Sequence, residues 1–183
     1  MPVDPATLRI VLHPAEVLRQ KADPVGKVTE EVRQIASRML EVMRSAEGIG
    51  LAAPQVGLPW RMFVCDVPTD PDEPAGEHPI GSEGPEVHID PVVIDPEGGA
   101  ELMEEGCLSL PGIRGEVPRP PIVTVESTNL KGERAAKRAA GLLARCWQHE
   151  IDHLDGVLIL DRFTQMSRLK TRSQVRNLEK SRR

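Results

Sequence analysis

Gln148-His149-Glu150-Ile151-Asp152-His153-Leu154-Asp155-Gly156 is the stretch on which the rest of the chain is read. It contains H-E-x-x-H. In a helix, residues four apart lie one above the other, so both imidazoles leave the same face. Two neutral ring nitrogens at that spacing can bind one metal ion at about 2.0–2.1 Å. Glu150 can reach a water on such an ion without ligating it, the position of a general base in metal-assisted hydrolysis. The competing explanation is a polar helix face with accidental spacing. Chance gives roughly one such match per hundred sequences of this length and composition. A metal site is the stronger reading.

The flanks agree. Ala139 to Trp147 reads as a helix, with Leu142, Leu143, Cys146 and Trp147 forming an apolar stripe that runs on to Ile151 and Leu154. Gly156 suits a helix stop, and Val157 to Leu160 reads as a short buried run. The motif therefore sits on a mostly buried helix, where two histidines without partners would be costly.

At 183 residues the chain is expected to form one domain. A net charge of −5 and a pI near 5.6 argue against a general nucleic-acid binder and predict no specific DNA binding. Three cysteines without paired spacing suggest no disulfide framework, so a reducing, cytoplasmic setting is expected. No run approaches a membrane span, and the first residues do not open a signal peptide. With two Phe, two Trp and no Tyr, the core must rest on aliphatic side chains.

Along the chain, Leu8 to Leu12 alternates into a short apolar run, His13 reads as a loop residue, and Pro14 to Lys21 suits a short helix. Thr29 to Glu47 is the clearest helix by pattern, with Thr29 as N-cap and Val32, Ile35, Ala36, Met39, Leu40 and Met43 at helical spacing. Gly48 and Gly50 then read as its C-cap, although small residues around Gln55 also suit close approach of backbone to a ligand. Trp60 to Val67 reads as a strand with Cys65 buried. Residues 68–85 are rich in Pro, Gly and acids, and form an expected exposed loop. Val87 to Asp95 is strand-like, with Pro91 implying a bend or an edge. Ile122 to Thr128 alternates as a strand, followed by a turn over Asn129 to Glu133. Residues 164–183 carry a basic C-terminal helix or tail.

A catalytic metal held by H-E-x-x-H needs one more protein ligand and keeps a fourth position for water. Cys107, in Glu105-Gly106-Cys107-Leu108-Ser109, has the best local context. Cys146 shares the helix face but lies a turn too early. Spacing alone does not choose Cys107 over Cys65, His88 or a late carboxylate such as Asp161, and an alternating strand histidine such as His88 is more often a surface residue.

These residues together resemble the peptide deformylase family. Its three motifs, G-x-G-L-A-A-x-Q, E-G-C-L-S and Q-H-E-x-D-H-L-x-G, stand complete and in order as Gly48 to Gln55, Glu105 to Ser109 and Gln148 to Gly156. The resemblance implies an α+β fold with small, mostly antiparallel sheets around the H-E-x-x-H helix. It implies that Cys107 joins His149 and His153 as metal ligand, and that Gln55 and the Leu108 N–H bond the oxygen of a reacting formyl group. An extended peptide would lie along Gly48, Ile49 and Gly50, its methionine side chain near Ile49, Leu142 and Cys146. Fe²⁺ is the implied metal, with Zn²⁺ or Ni²⁺ possible in purified protein. The implied partner is a formyl-methionyl peptide or nascent chain met by a monomer, with transient ribosome contact through the basic C-terminus. Two departures stand out: Asp90 occupies a position that is often Asn, and Arg134 to Ala140 replaces a more apolar strand, which argues against a strand there.

The implied chemistry is hydrolysis. Metal-bound water attacks the formyl carbon, Glu150 takes a proton and returns it to the leaving amine, and formate departs. A zinc peptidase shares H-E-x-x-H but would usually draw its third ligand from a downstream His or Glu. A non-catalytic metal module would leave Glu150 and Gln55 unexplained and would want a closed shell of four ligands.

Overall fold

The computed structural model describes residues 3–69 and 76–182. Positions 70–75 of the expected 68–85 loop lie outside the described residues. From Gly76 to Pro85 no helix or strand forms.

Helix α1, Glu30–Ser45, starts where the sequence predicts: the Thr29 hydroxyl accepts from the Val32 N–H, and Glu30 and Glu31 face the helix N-terminus. Val32, Ile35, Ala36, Met39 and Met43 make its buried stripe. Its stop differs from the expectation. Glu47, not a glycine, takes the left-handed position at φ +55°, and the Gly48 N–H returns to the Met43 carbonyl. That leaves Gly50 free for another purpose, described below.

Strands β1 (Gly50–Ala52), β2 (Met62–Cys65), β3 (Glu86–Glu97), β6 (Ile122–Thr128) and β7 (Arg134–Ala140) form one antiparallel sheet in the order β1-β2-β3-β6-β7. Strands β4 (Glu101–Gly106) and β5 (Arg114–Arg119) pair as a separate hairpin. All four β2 residues are buried because the strand is covered twice. Met62 and Val64 join the core under α1, while Phe63 and Cys65 join the core under helix α2, Gly141–Leu154. That is why Met-Phe-Val-Cys reads as an unbroken apolar run. A third core forms where β5 meets the short helix α3 (Ile159–Arg162) and the segment leading into α4 (Gln165–Lys180), around Val117, Ile159 and Phe163. No helix among the described residues is long and apolar enough to cross a membrane.

Pro91 bends β3 where pairing with β2 ends, and beyond it the strand has β6 as its one neighbour. Asp90 sits at the bend with φ +49°, and its carboxylate accepts from the Val25 and Gly26 N–H groups at 2.8 and 2.9 Å. Strand β7 corrects the expectation drawn from its charges. It pairs with β6 from Arg134 to Ala140, yet buries only Ala139. An edge strand needs little apolar surface, and Arg134, Lys137 and Arg138 reach Glu126, Glu86 and Asp95. The helix expected from Ala139 begins instead at Gly141, whose φ of +54° breaks it from β7. Leu158 and Ile159 are buried as expected of their run, but Ile159 opens α3.

Two extended segments tie the α2 region down. The Pro79 and Ile80 carbonyls accept from the Ala140 and Leu143 N–H groups, serving a helix start that has no side-chain cap. At the other end, the Ala22 N–H donates to the Leu154 carbonyl at 2.8 Å. Leu8 to Leu12 is not a strand but part of a strap: the Val11 N–H meets the Gln55 carbonyl at 2.7 Å, and the His13 N–H meets the Ser109 carbonyl at 3.0 Å. His13 is a buried loop residue whose Nε2 lies 3.1 Å from Glu179 of α4.

Candidate active site

Three donor atoms converge where α2 meets the turn after β4. His149 and His153 stand one helical turn apart on α2, with Nε2 atoms 3.2 Å apart, and the Cys107 sulfur is 3.2 Å from His153 Nε2. A tetrahedral ion with bonds of about 2.0–2.3 Å sets its ligand atoms about 3.3–3.6 Å from one another, so this trio fits one. Cys107 reaches the trio because a tight turn follows β4, closed by the Leu110 N–H on the Cys107 carbonyl. His88 and Cys65 lie in another cluster, and Asp161 pairs with Arg19 and caps the Leu158 N–H. None of these three joins the trio. Nor is His88 a surface residue: it is buried against Phe63 and Trp147.

The outer partners of the trio are Glu105, from the second motif, and two arginines, Arg119 and Arg145, that read singly as surface charges. Glu105 accepts from His149 Nδ1 at 3.0 Å, which turns Nε2 toward Cys107 and His153. Arg119 grips both Glu105 oxygens at 2.6 and 3.0 Å and reaches Asp152 at 2.8 Å, while Arg145 donates to Glu105 at 2.8 Å. Burial works to raise the Glu105 pKa, but the bonds from His149 and Arg119 outweigh it and hold the group well below the usual carboxylate range. Burial works to lower the His149 pKa, yet its contacts with Cys107 and Glu105 hold it well above the ordinary imidazole value. The electron-rich surroundings thus favour positive charge where the three donor atoms meet. Burial pushes His153 well down, toward the neutral ring a ligand must have. Arg119→Ala would leave buried carboxylates short of their counter-charge, and a loss of about 3–5 kcal/mol is expected, read by urea unfolding.

Glu150 lies beside the trio but outside it. Its Oε2 is buried without a hydrogen-bond partner among the described residues, and burial raises its pKa to about 7. Gly50 makes room for it, since a Cβ there would lie 2.4 Å from Glu150 Oε1 and 2.8 Å from the Cys146 sulfur. A Cβ on Gly48 would lie 2.7 Å from Leu108 Cδ1. Close packing against Glu150 and Cys146 explains Gly50, while Gly48 both closes the end of α1 through its N–H and lies against the Leu108 side chain.

Gln55 sits in a 3₁₀ turn, Ala53–Val56, with its Oε1 accepting from the Ala52 N–H at 2.8 Å. Its Nε2 therefore faces the site, 3.5 Å from the Cys107 sulfur and 3.3 Å from Ser109 Oγ. The Leu108 N–H donates to no group among the described residues. Gly48, Ile49, Gly50, Leu142 and Cys146 share with Gln55, Leu108 and Glu150 the walls of one cavity of about 470 Å³. Strand β1 ends the sheet order, so one of its edges pairs with no other strand among the described residues, beside this cavity.

The arrangement suits metal-assisted attack on a carbonyl, and comparison with known proteins points the same way. The polypeptide deformylase family matches residues 7–169. A peptide deformylase of Desulfitobacterium hafniense is 44% identical over 163 residues, spanning 89% of this chain and 99% of that one. One of Desulforudis audaxviator is 41% identical over 165 residues, spanning 90% and 99%. The crystal structure of peptide deformylase from Ehrlichia chaffeensis superposes with a TM-score of 0.86 at 34% identity, covering 95% of this chain and 97% of that one. With matches that run from the strap to the start of α4 and leave almost none of the relatives uncovered, the chain belongs to the polypeptide deformylase family.

Proposed function

We infer that this enzyme removes the N-formyl group from the initiator methionine of newly made polypeptides. The observation that carries the reading is the meeting of Cys107, His149 and His153 donor atoms beside a buried, unpartnered carboxylate. Those three residues would hold a divalent ion, Fe²⁺ by family resemblance, with Zn²⁺ or Ni²⁺ as substitutes. Such an ion, when bound, supplies Lewis-acid chemistry that polarises a carbonyl and acidifies water.

Glu150 takes a proton from the attacking water as the new C–O bond forms at the formyl carbon. As the C–N bond breaks, Glu150 gives the proton to the departing amine, leaving formate and a free N-terminal methionine. A carboxyl group with a pKa of about 7 can serve as base and then as acid near neutrality. The Gln55 amide and the Leu108 N–H donate to the formyl oxygen as negative charge develops there. The peptide lies along Gly48, Ile49 and the free edge of β1, as an added strand. Its methionine side chain enters the cavity near Ile49, Leu142 and Cys146.

Turnover of formyl-methionyl peptides by protein loaded anaerobically with Fe²⁺ is the direct test. Cleavage of an internal peptide bond or release of the methionine itself, with formyl groups untouched, would return the chain to the peptidase reading. Gln55→Ala should lower kcat by an amount equivalent to about 2.7–4 kcal/mol, the effect of losing one oxyanion donor. Metal content should stay the same, and an unchanged kcat would leave Gln55 as a structural loop residue.

A further inference from the structure

A second group of side chains of the ligand-bearing types, separate from the Cys107 trio, sits on β2 and β3. In the antiparallel register Cys65 of β2 stands across from Glu86 of β3, and Phe63 across from His88. Alternation along each strand turns Cys65, Glu86 and His88 to one face of the sheet, the face on which Trp147 of α2 packs against the His88 ring. His88 Nε2 is 3.1 Å from Glu86 Oε2, and the Cys65 sulfur is 3.9 Å from the same oxygen. All three donor atoms lie within 4.8 Å of one another.

Each flanking contact leaves one ligating atom facing inward. His88 Nδ1 is bonded to Ser127 Oγ at 2.9 Å, and the ring is stacked on Phe63 at 4.5 Å. Lys137 holds Oε1 of Glu86 at 2.8 Å, leaving Oε2 for the cluster. Outer partners of this kind fix the ring and carboxylate orientation that metal ligands need. A hydrogen bond with Cys146 and, against the opposing effect of burial, another with His88 hold the Cys65 thiol below its ordinary pKa, toward the ligating thiolate.

We propose that Cys65, Glu86 and His88 form a second metal site, taking a thiophilic divalent cation such as Zn²⁺ or Cd²⁺. One thiolate, one imidazole and one carboxylate suit these ions, whereas Mg²⁺ and Ca²⁺ take oxygen ligands. Thiolate and carboxylate together balance the charge of a divalent ion in a buried place. Bonds of about 2.0–2.3 Å require the sulfur to close on the carboxylate by about a few tenths of an ångström. A surface cavity of about 470 Å³ is lined by Glu86, His88 and Ser127 but not by the buried Cys65, so an ion would enter from the carboxylate and imidazole side.

The test adds Cd²⁺ to protein whose H-E-x-x-H site has been filled with Ni²⁺, with Ni²⁺ content followed in the same samples. The expected result is one further equivalent of bound metal and an ultraviolet thiolate-to-Cd²⁺ charge-transfer band. Cys65→Val and His88→Gln should lose that equivalent and the band while keeping Ni²⁺ and turnover. Ser127→Ala, which removes only the outer partner of the ring, should weaken Cd²⁺ binding by about 10–100-fold. Cys107→Ala should keep the band, which separates this site from the other. No further equivalent in the wild type, or a band that survives Cys65→Val, overturns the proposal. Should His88→Gln fail to fold, the wild-type stoichiometry and Cys65→Val decide the matter.

Discussion

Glu150→Ala is expected to keep its metal and to lose turnover by about 10²–10⁴-fold, the usual contribution of a general base. The carboxylate is not one of the three converging donors, and Glu105 supports His149 without its help. Removing it should therefore leave the ligand set intact. It should not unfold the protein either, because Oε2 has no partner to abandon and a buried carboxylate without partners is itself destabilising. Metal analysis, thermal unfolding and kinetics on the same preparation distinguish the cases. Turnover near the wild-type rate with metal bound would remove Glu150 from the mechanism, whereas loss of metal would make it part of the ligand support.

Cys107→Ala should have the larger effect on the metal itself. Two imidazoles on one helix hold an ion loosely, and the thiolate adds both a third bond and a negative charge. Metal at the H-E-x-x-H site should fall close to zero and deformylation with it. Cys65→Ala and Cys146→Ala should keep that metal, since neither sulfur belongs to the trio. Cys146 lines the cavity and is buried, so its replacement can alter methionine binding or stability, and metal content is the cleaner readout. Full occupancy and activity in Cys107→Ala would reopen the choice of third ligand.

How far the site was legible depended on where its residues sit in the chain. His149, Glu150 and His153 share one helix, so their geometry follows from spacing along it. Cys107 comes from a turn after β4, in contact with α2 only through the folded chain, and spacing left it level with Cys65 and His88. The Glu105, Arg119 and Arg145 network was hidden for a similar reason. Charges on a hairpin strand and on a helix read singly as solvated, and only the fold brings them together out of water. His88 departs in the opposite direction, because an alternating pattern does not say that α2 covers the face of the sheet on which His88 lies. Strand β7 shows the limit of apolar content as a signal, since an edge strand held by cross-strand ion pairs needs almost none. Helix α1, by contrast, carries its cap, first-turn acids and stripe within sixteen residues, and that pattern predicts all of it except its stop.

The strap that precedes α1 bears on the order in which the protein can assemble. Its amides close on Gln55, on Ser109 and on Leu154, one acceptor within or beside each of the three motif segments. These contacts join positions far apart in sequence, and such closures come late because loop entropy must be met before they form. The strap is made before α2 and cannot find its last acceptor until α2 has been made. Ligand geometry and strap closure should therefore appear together as one late folding event, with sheet and α1 already in place. Pulse-labelled hydrogen exchange would show it as simultaneous protection of the Val11, His13 and Ala22 amides, after those of β2.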